Sequence, residues 1–297
     1  YKLDENFNDF HIDKILDLDL VNKEAIKKAK LNVVIDAVNS TGGFMIPKLL
    51  EKLGVSYHKL YCEPNGIFPH NPEPLAENLS EISTQVISNG SQLGIVVDPD
   101  VDRLAIVCED GSMFGEEYTL VLAVKNYLNY QKSIVATNLS TSMMLESIAN
   151  ETIRTKIGEA HVVQKMNELN IPIGGEGNGG VILKEVHSGR DSLVAISMIL
   201  SLLSSSGKSI SDEISNIPQY LMIKDKILID DKIDFDSLET IFDCNEINKI
   251  DGIKFIWPNK WIHIRKSNTE PIIRIFAEAK NQDEVNELIN TLKNYLK

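Results

Sequence analysis

Three aspartates, Asp98, Asp100 and Asp102, alternate along one short segment, DPDVDR, directly after an apolar run. Carboxylate oxygens in this number suit Mg²⁺, which also keeps coordination positions for phosphate or water oxygens. Arg103, the last residue of the segment, adds a guanidinium that can pair with a phosphoryl group through two parallel hydrogen bonds. The segment therefore predicts a Mg²⁺ site formed by the three carboxylates, with Arg103 as a neighbouring catalytic cation.

The same segment has two other interpretations. Counted from Asp98, it matches a calcium-binding EF-hand loop at positions 1, 3, 5 and 12, the last being Glu109. Position 6, where the sharp turn of that loop needs glycine, is Arg103, and the flanking runs 94–97 and 104–107 are strand-like rather than helical. The other alternative is a solvated acidic turn. It is disfavoured because three spaced carboxylates repel one another when no cation is bound.

A glycine-rich segment, GGEGNGG at 174–180, has the composition of a ligand-binding loop. From Gly175 it matches the dinucleotide-binding pattern, but the VIL run that follows is strand-like and no acidic residue lies at the expected downstream spacing. Glycines let a backbone approach a ligand closely, and Glu176 and Asn178 present a carboxylate and an amide to hydroxyl groups. The segment predicts a sugar-binding loop, with a plain flexible turn as the alternative.

A third polar segment, RKSNTEP at 265–271, lies between two strand-like runs. A guanidinium, two hydroxyls, an amide and the N–H groups of a turn together form the donor set that binds phosphate. The predicted phosphate ligands are Arg265, Ser267, Asn268 and Thr269. A polar turn whose side chains bond to its own backbone is the alternative interpretation.

Composition and charge limit the class of protein. The net charge is −13, which disfavours nucleic acid and anionic membranes as partners because both attract a basic surface. No apolar run is long and uninterrupted enough to span a bilayer. The three cysteines are odd in number and far apart, so that neither a disulfide framework nor a zinc site is expected. We therefore expect a reducing, cytoplasmic location.

Strand-like and helix-like runs alternate in the parts of the chain that must position these loops. The alternation in residues 11–114 and again in 115–218 predicts an α/β fold with two similar doubly wound domains. Residues 219–297 are mostly strand-like with two helices, which predicts a smaller antiparallel α+β domain at the C-terminus. The predictions that bear on later sections are helices at 46–53, 75–89, 142–150 and 234–243 and a strand at 171–173.

The three loops, in this order along the chain, resemble the α-D-phosphohexomutase family. The family's metal loop reads Asp-x-Asp-x-Asp-Arg, its sugar loop Gly-Glu-x-Ser/Asn-Gly and its phosphate loop Arg-x-Ser-Asn-Thr-Glu-Pro, and this chain matches them at 98–103, 175–179 and 265–271. The resemblance covers essentially the whole chain. It implies a four-domain enzyme in which the three predicted domains are the second, third and fourth.

The resemblance implies that phosphoryl moves between O1 and O6 of a hexose through a phosphoserine enzyme and a hexose bisphosphate, with Mg²⁺ as cofactor. In the family that serine lies in a Ser-His-Asn-Pro loop of the first domain. No such loop occurs here; the nearest sequence has Pro69 in place of the serine, before His70-Asn71-Pro72. The first domain is therefore expected to be a missing partner, without which the chain is inactive.

Other residues do not settle which hexose phosphate is the substrate or which side chain transfers protons. Some family members end the sugar loop with histidine, whereas this chain has Gly180, and Lys156 resembles a family position near the substrate that could serve catalysis instead. The loops look most like those of phosphoglucosamine mutases and phosphomannomutases. We favour glucosamine phosphate, with mannose or glucose phosphate as alternatives. A non-catalytic sugar-phosphate-binding protein and a divalent-metal phosphatase are the rivals from other classes.

Overall fold

The computed structural model describes residues 6–228, 236–267 and 271–296. Its first unit is a four-stranded sheet in the order β2-β1-β3-β4, in which β1 pairs in parallel with β2 and β3, and β4 is antiparallel to β3. The strands are β1 (Asn32–Asp36), β2 (Ser56–Leu60), β3 (Leu93–Val97) and β4 (Leu104–Cys108). The helices are α1 (Phe7–Leu16), α2 (Lys23–Ala29), α3 (Gly42–Leu53) and α4 (Ser80–Ser88).

The second unit repeats this topology. Its sheet has the order β6-β5-β7-β8, again with three parallel strands and one antiparallel edge strand, which confirms the prediction of two similar α/β units. The strands are β5 (Val135–Asn138), β6 (Thr152–Thr155), β7 (Ile173–Glu176) and β8 (Gly180–Leu183). The helices are α5 (Glu117–Tyr130), α6 (Glu159–Glu168), α7 (Ser192–Ser206) and α8 (Ile210–Ser215).

The third unit is an antiparallel sheet with one long helix, as the strand-rich sequence predicts. Its five strands lie in the order β10-β11-β12-β13-β9. They are β9 (Leu221–Leu228), β10 (Glu246–Asn248), β11 (Ile253–Trp257), β12 (Lys260–Lys266) and β13 (Ile272–Ala279), and α9 is Gln282–Tyr295. Side chains of α9 and of the sheet form a core of their own.

One hydrophobic core is continuous between the first two units, and α7 lies at its centre. Every residue from Ser192 to Leu203 is buried, because α7 carries apolar side chains on all faces. The first helices reach this core: the backbone N–H of Asn22 donates to Ser201 Oγ at 3.0 Å. Of the helices in the described ranges, none has both the length and the apolar character needed to cross a membrane.

Several sequence-based element predictions are wrong where tertiary contacts satisfy the backbone. The predicted helix 142–150 is only a 3₁₀ turn, Met143–Ser147, because carboxylates of Glu117 and Glu278 accept the N–H groups of residues 142 and 143. The predicted helix 75–89 is divided into a 3₁₀ turn at Ala76–Asn78 and α4. Of the predicted helix 234–243, only a 3₁₀ turn at Asp236–Thr240 forms in the described residues.

Two glycine-containing segments that look like loops are regular structure. Helix α3 begins at Gly42 rather than at 46, and a Cβ on Gly43 would lie 2.3 Å from the carbonyl oxygen of Cys62, so only glycine allows this close packing. Strand β7 covers 173–176 instead of 171–173, and a Cβ on Gly174 would lie 2.5 Å from the carbonyl oxygen of Ala136 in the neighbouring strand. Glu176 therefore sits at the rigid end of a strand.

Candidate functional site

The aspartate loop joins β3 to β4 and is organised around Asp98, which is buried. Asp98 Oδ1 accepts the backbone N–H groups of Asp102 at 3.1 Å and of Arg103 at 3.0 Å, and its Oδ2 accepts Arg103 Nε at 2.6 Å. The loop closes through Val101, whose φ of 63° lies in the left-handed region. One carboxylate thus sets the curvature that brings the other two alongside it.

The three aspartates have the donor set of a magnesium site. One ligand oxygen from each of Asp98, Asp100 and Asp102 lies within 4.8 Å of the others. Asp98 is buried, Asp100 is exposed and Asp102 is intermediate, so that the cluster opens towards solvent. Burial, and then the neighbouring charge of Asp98, raise the pKa of Asp102 to about 6. Burial and a neighbouring like charge both disfavour the ionised carboxylate, and a divalent cation bound here would favour it.

The flanking structure contradicts the two competing motifs. Strands, not helices, flank the aspartate loop, and the Glu109 carboxylate accepts hydrogen bonds from Ser211 instead of turning towards the loop, so the loop is not an EF-hand. The glycine-rich segment lies between β7 and the antiparallel β8. No helix opens after Gly180, which removes the helix N-terminus that a dinucleotide-binding loop needs.

Glu176 is buried at the carboxyl end of β7 and is held by several donors. Its Oε1 accepts Asn138 Nδ2 at 2.8 Å and the backbone N–H of Gly158 at 3.1 Å. Asn138 ends β5, so both side chains lie at the same carboxyl edge of the second sheet, where ligands of parallel sheets bind. Asn178, the other predicted sugar ligand, is half-buried, and its Oδ1 accepts the N–H of Gly180 at 3.2 Å.

Arg190 joins the aspartate loop to the glycine-rich loop. Its Nη1 donates to Glu176 Oε2 at 2.9 Å, its Nη2 pairs with Asp102 Oδ2, and its backbone N–H donates to Glu159 Oε1 at 2.7 Å. A Cβ on Gly180 would lie 2.2 Å from Arg190 Cδ. The arginine side chain therefore occupies the space that a side chain at position 180 would need.

The third unit contacts the second through the loop after β5. His263 Nε2 donates to the carbonyl oxygen of Asp251 at 2.5 Å, so its Nδ1 accepts the hydroxyl of Ser140 at 2.7 Å. Burial lowers the pKa of His263 to about 4, which keeps the ring neutral. Buried Lys254 donates to the carbonyl oxygen of Leu139 at 2.5 Å. The loop that starts at Asn138, a partner of Glu176, thus also anchors the unit that carries the phosphate segment.

Of the predicted phosphate ligands, Arg265 and Ser267 fall within the described residues, whereas Asn268 and Thr269 lie outside them. Arg265 lies on β12 and is half-buried. Its Nε atom is buried, lies 3.8 Å from Asp251 Oδ1 and has no hydrogen-bond partner within the described part of the chain. Nε thus faces a carboxylate beyond hydrogen-bond distance, and the role of Arg265 as a phosphate ligand stays a prediction. The backbone N–H of Ser267 donates to the carbonyl oxygen of Ile272 at 2.9 Å.

Lys156 is exposed and follows β6 directly, at the same edge of the sheet as Glu176. Its neighbour Ile157 donates a backbone N–H to Asp251 Oδ2 at 2.9 Å, and Asp251 also faces Arg265. The structure thus places Lys156 on a segment that contacts both Glu176, through Gly158, and Asp251, through Ile157. Its catalytic role stays a prediction.

Sequence reasoning missed three residues of this site: Arg190, Asn138 and Glu159. Asn138 carried a usable signal, because it directly follows a β-type run at the carboxyl end of a predicted parallel strand. Arg190 and Glu159 carried none, since each lies more than ten residues along the chain from the side chain it contacts. Their positions follow from the packing of β8, α6 and α7.

The Glu117 carboxylate packs against the glycine-rich loop, and its pKa is raised. A Cβ on Gly177 would lie 2.0 Å from its Oε2, which accepts the N–H of Ser142 at 2.9 Å. Burial raises the pKa of Glu117 to about 8, although Lys224, 3.9 Å from its Oε1, acts in the opposite direction. Glu278 and Glu116 raise the pKa further, and Lys254 is another charged group near Glu117.

This pKa predicts a pH-dependent stability. Because the folded-state pKa lies above the ordinary 4.5, folding favours the protonated acid; the resulting stability is fully present below pH 4.5 and is lost progressively as pH rises from there through about 8. We expect Glu117 to lower the free energy of unfolding by roughly 3 kcal/mol between pH 4.5 and 7. Urea unfolding of Glu117→Gln at the two pH values should show a smaller pH dependence by this amount; an unchanged dependence would mean that Glu117 is ionised in the folded protein.

Family models match nearly the whole chain. The model described as "Phosphoglucomutase/phosphomannomutase, alpha/beta/alpha domain II" matches residues 9–111, that for domain III matches 115–220, and that for the C-terminal domain matches 226–294. The chain therefore belongs to the phosphoglucomutase/phosphomannomutase family. This confirms the resemblance inferred from the three loops.

Individual relatives agree with this assignment. A phosphoglucomutase/phosphomannomutase of Thermococcus kodakarensis is 34% identical over 279 residues, covering 91% of this chain and 61% of the relative. A phosphoglucosamine/phosphogalactosamine mutase of Sulfurisphaera tokodaii is 30% identical over 289 residues, covering 92% of this chain and 63% of the relative. The chain thus spans under two thirds of the length of these relatives.

Solved structures show the same fold. A phosphoglucomutase/phosphomannomutase family protein of Burkholderia thailandensis superposes with a TM-score of 0.85 at 24% identity, covering 98% of this chain and 64% of that structure. An N-acetylphosphoglucosamine mutase of Aspergillus fumigatus, solved with GlcNAc-6P and magnesium, superposes with a TM-score of 0.65 at 14% identity, covering 100% of this chain and 66% of that structure. The two α/β units and the antiparallel unit of this chain therefore have the fold of the corresponding part of these structures.

Proposed function

We propose that the chain carries the metal, sugar and phosphate sites of a phosphohexomutase that moves a phosphoryl group between O1 and O6 of a hexose. The observation that carries this proposal is Arg190, whose guanidinium contacts both Asp102 and Glu176. A single side chain thereby places the candidate metal loop beside the candidate sugar loop. Phosphoryl transfer depends mainly on such positioning and on charge stabilisation.

The residues of the chain divide the work of binding. Asp98, Asp100 and Asp102 would hold Mg²⁺, which when bound would neutralise negative charge on the transferred phosphoryl oxygens. Arg103, whose Nε is held by Asp98, adds a second positive charge at the same loop. Glu176 and Asn178 would accept or donate hydrogen bonds to sugar hydroxyls. Segment 265–269 would hold the phosphate that does not react.

Glucosamine phosphate is the substrate that we propose, with mannose or glucose phosphate as alternatives. Support comes from the names of relatives, which include a phosphoglucosamine/phosphogalactosamine mutase and several probable phosphoglucosamine mutases. The proposed partner is the domain that carries the phosphoserine in the α-D-phosphohexomutase family. The reducing, cytoplasmic location that we propose agrees with three unpaired thiols at Cys62, Cys108 and Cys244.

Hexose-phosphate binding tests the phosphate segment. Arg265→Ala should weaken binding of glucosamine 6-phosphate by about 1.5–3 kcal/mol, roughly 10- to 150-fold, because a charged hydrogen-bond donor is lost. Titration calorimetry in the presence of Mg²⁺ measures the effect. Unphosphorylated glucosamine should bind the variant and the parent protein equally.

The matched control is Arg274→Ala, which removes the arginine that pairs with Arg265 across β12 and β13 and leaves the candidate ligand in place. It should retain the affinity for glucosamine 6-phosphate. Arg265 supports the fold and does not bind the phosphate if Arg265→Ala weakens the binding of glucosamine and of glucosamine 6-phosphate alike. The same conclusion follows if Arg274→Ala weakens the binding of glucosamine 6-phosphate as much as Arg265→Ala does.

A further inference from the structure

Three metal-binding side chains converge outside the candidate active site. His11 lies on α1, whereas His187 and Asp191 belong to the segment between β8 and α7. Both imidazoles direct Nε2 at the same atom, Asp191 Oδ2, at 2.8 Å from His11 and 3.0 Å from His187. One ligand atom from each residue lies within 4.8 Å of the other two. Residues far apart in the chain thus form one compact donor set.

The carboxylate at the centre of this cluster is held in place by backbone groups. Asp191 is the N-cap residue of α7, and its Oδ1 accepts the N–H groups of Leu193 at 2.8 Å and of Val194 at 3.2 Å. The residue is buried, with 5% of its surface exposed. These bonds orient the second oxygen towards the two histidines, as supporting hydrogen bonds orient the ligands of known metal sites.

The donor types select the class of metal. Two imidazoles and one carboxylate suit Zn²⁺ and its neighbours Co²⁺ and Ni²⁺, whereas Mg²⁺ prefers oxygen alone. Tetrahedral ligands about 2 Å from a metal lie about 3.3 Å apart, a few tenths of an ångström beyond the observed 2.8 and 3.0 Å. The His187 side chain is 42% exposed and His11 is 24% exposed. Solvent can therefore reach the cluster and supply a fourth ligand.

We infer that His11, His187 and Asp191 form a second metal site, specific for a borderline divalent ion such as Zn²⁺, that fastens α1 to the start of α7. Binding replaces two N–H···O hydrogen bonds with two metal–nitrogen bonds and one metal–oxygen bond. A neutral imidazole only has to carry its proton on Nδ1 instead of Nε2, so that it presents a lone pair to the metal. The site is separate from the aspartate cluster, and the inference does not rest on the proposed mutase function.

The position of the site gives it a link to the candidate active site. Asp191 directly follows Arg190, the residue that contacts Asp102 and Glu176. Lys14, one turn after His11 on α1, donates to the carbonyl oxygen of Val186 in the same segment. A bound ion would therefore restrain the backbone on which Arg190 is carried.

Cobalt spectroscopy distinguishes this site from a metal-free hydrogen-bonded cluster. Co²⁺ added to the 297-residue chain should give the visible absorption of a nitrogen-containing, four- or five-coordinate complex, and one equivalent of Zn²⁺ should remove it. Zn²⁺ affinity is then measured by competition with a chromophoric chelator. His11→Gln and His187→Gln should each lower the affinity for Zn²⁺ by at least tenfold, since even residues that only support the ligands of a metal site change metal affinity by about 10- to 100-fold.

Two controls locate the ion. His161→Gln removes an exposed histidine of α6 that is outside the cluster and should leave Zn²⁺ affinity unchanged. Asp100→Asn alters the aspartate cluster and should leave the cobalt spectrum unchanged. Circular dichroism checks that the histidine variants fold. Absence of the cobalt absorption, or equal Zn²⁺ affinity in His11→Gln, His187→Gln and the parent protein, overturns the site; loss of binding only in Asp100→Asn assigns the ion to the aspartates.

Discussion

Isotopically labelled glucosamine 1-phosphate is expected to stay unconverted when it is mixed with the 297-residue chain, Mg²⁺ and a hexose 1,6-bisphosphate. Transfer requires a donor oxygen that is already phosphorylated and aligned with the substrate hydroxyl. The nearest sequence to a Ser-His-Asn-Pro loop has Pro69 where the serine would be. Its His70 has another partner, since Nε2 lies 3.1 Å from Oδ2 of buried Asp36. We expect the bisphosphate not to restore turnover, because these 297 residues contain no Ser-His-Asn-Pro sequence whose serine could accept its phosphoryl group.

Conversion to the 6-phosphate should appear when the phosphoserine-bearing domain of a relative is supplied together with the chain. The same mixture with the serine of that domain changed to alanine is the matched control and should be inactive. Robust turnover by the chain alone would show that it contains a nucleophile of its own. Tight hexose-phosphate binding without turnover in any mixture would instead favour a non-catalytic sugar-phosphate-binding protein.

Asp98→Ala is expected to lower the free energy of unfolding by about 3 kcal/mol, measured by urea unfolding in a buffer with a chelator. The substitution leaves Arg103, 26% exposed, without the carboxylate that holds its Nε at 2.6 Å. It also removes the acceptor of two backbone N–H groups in the loop. The chelator matters because a metal bound only to the folded state adds stability of its own.

The matched control is Asp100→Ala in the same loop. Asp100 is exposed, and removing its side chain should change the free energy of unfolding by less than about 0.5 kcal/mol. Calorimetry should nevertheless show weakened Mg²⁺ binding in Asp100→Ala. Equal stability of the two variants would mean that the Asp98 contacts do not hold the loop, and unchanged Mg²⁺ binding in Asp100→Ala would remove this aspartate from the ligand set.

Elements with strong local patterns were predictable from the sequence. Burial is the one stable environment for the apolar, β-branched runs of β1 and β3 and for the capped, uniformly apolar α7. Local pattern and tertiary structure therefore agree in these elements. The alternation of strands and helices also predicted the fold class. The failures came where backbone groups are satisfied from a distance, as in the 3₁₀ turn Met143–Ser147, whose N–H partners lie on α5 and β13.

The three loops that define the candidate site were likewise readable as chemistry, because each concentrates its functional groups within seven residues. By itself the sequence determined the donor types: carboxylates for a cation, a carboxylate and an amide for hydroxyls, a guanidinium and hydroxyls for phosphate. What it did not contain was any distance between the loops. Asp102 and Glu176 are 74 positions apart, and nothing local to either predicts that Arg190 contacts both.

Only the tertiary structure decided which side chains share the site and which stand elsewhere. Arg190 reaches Asp102 and Glu176 because Gly180 leaves room for its side chain, and His11 meets Asp191 because α1 packs against α7. Both arrangements depend on shape complementarity between distant segments in a close-packed interior, a property that residue type and spacing do not encode locally. The sequence thus determined the chemistry available to this protein, and packing determined where that chemistry is brought together.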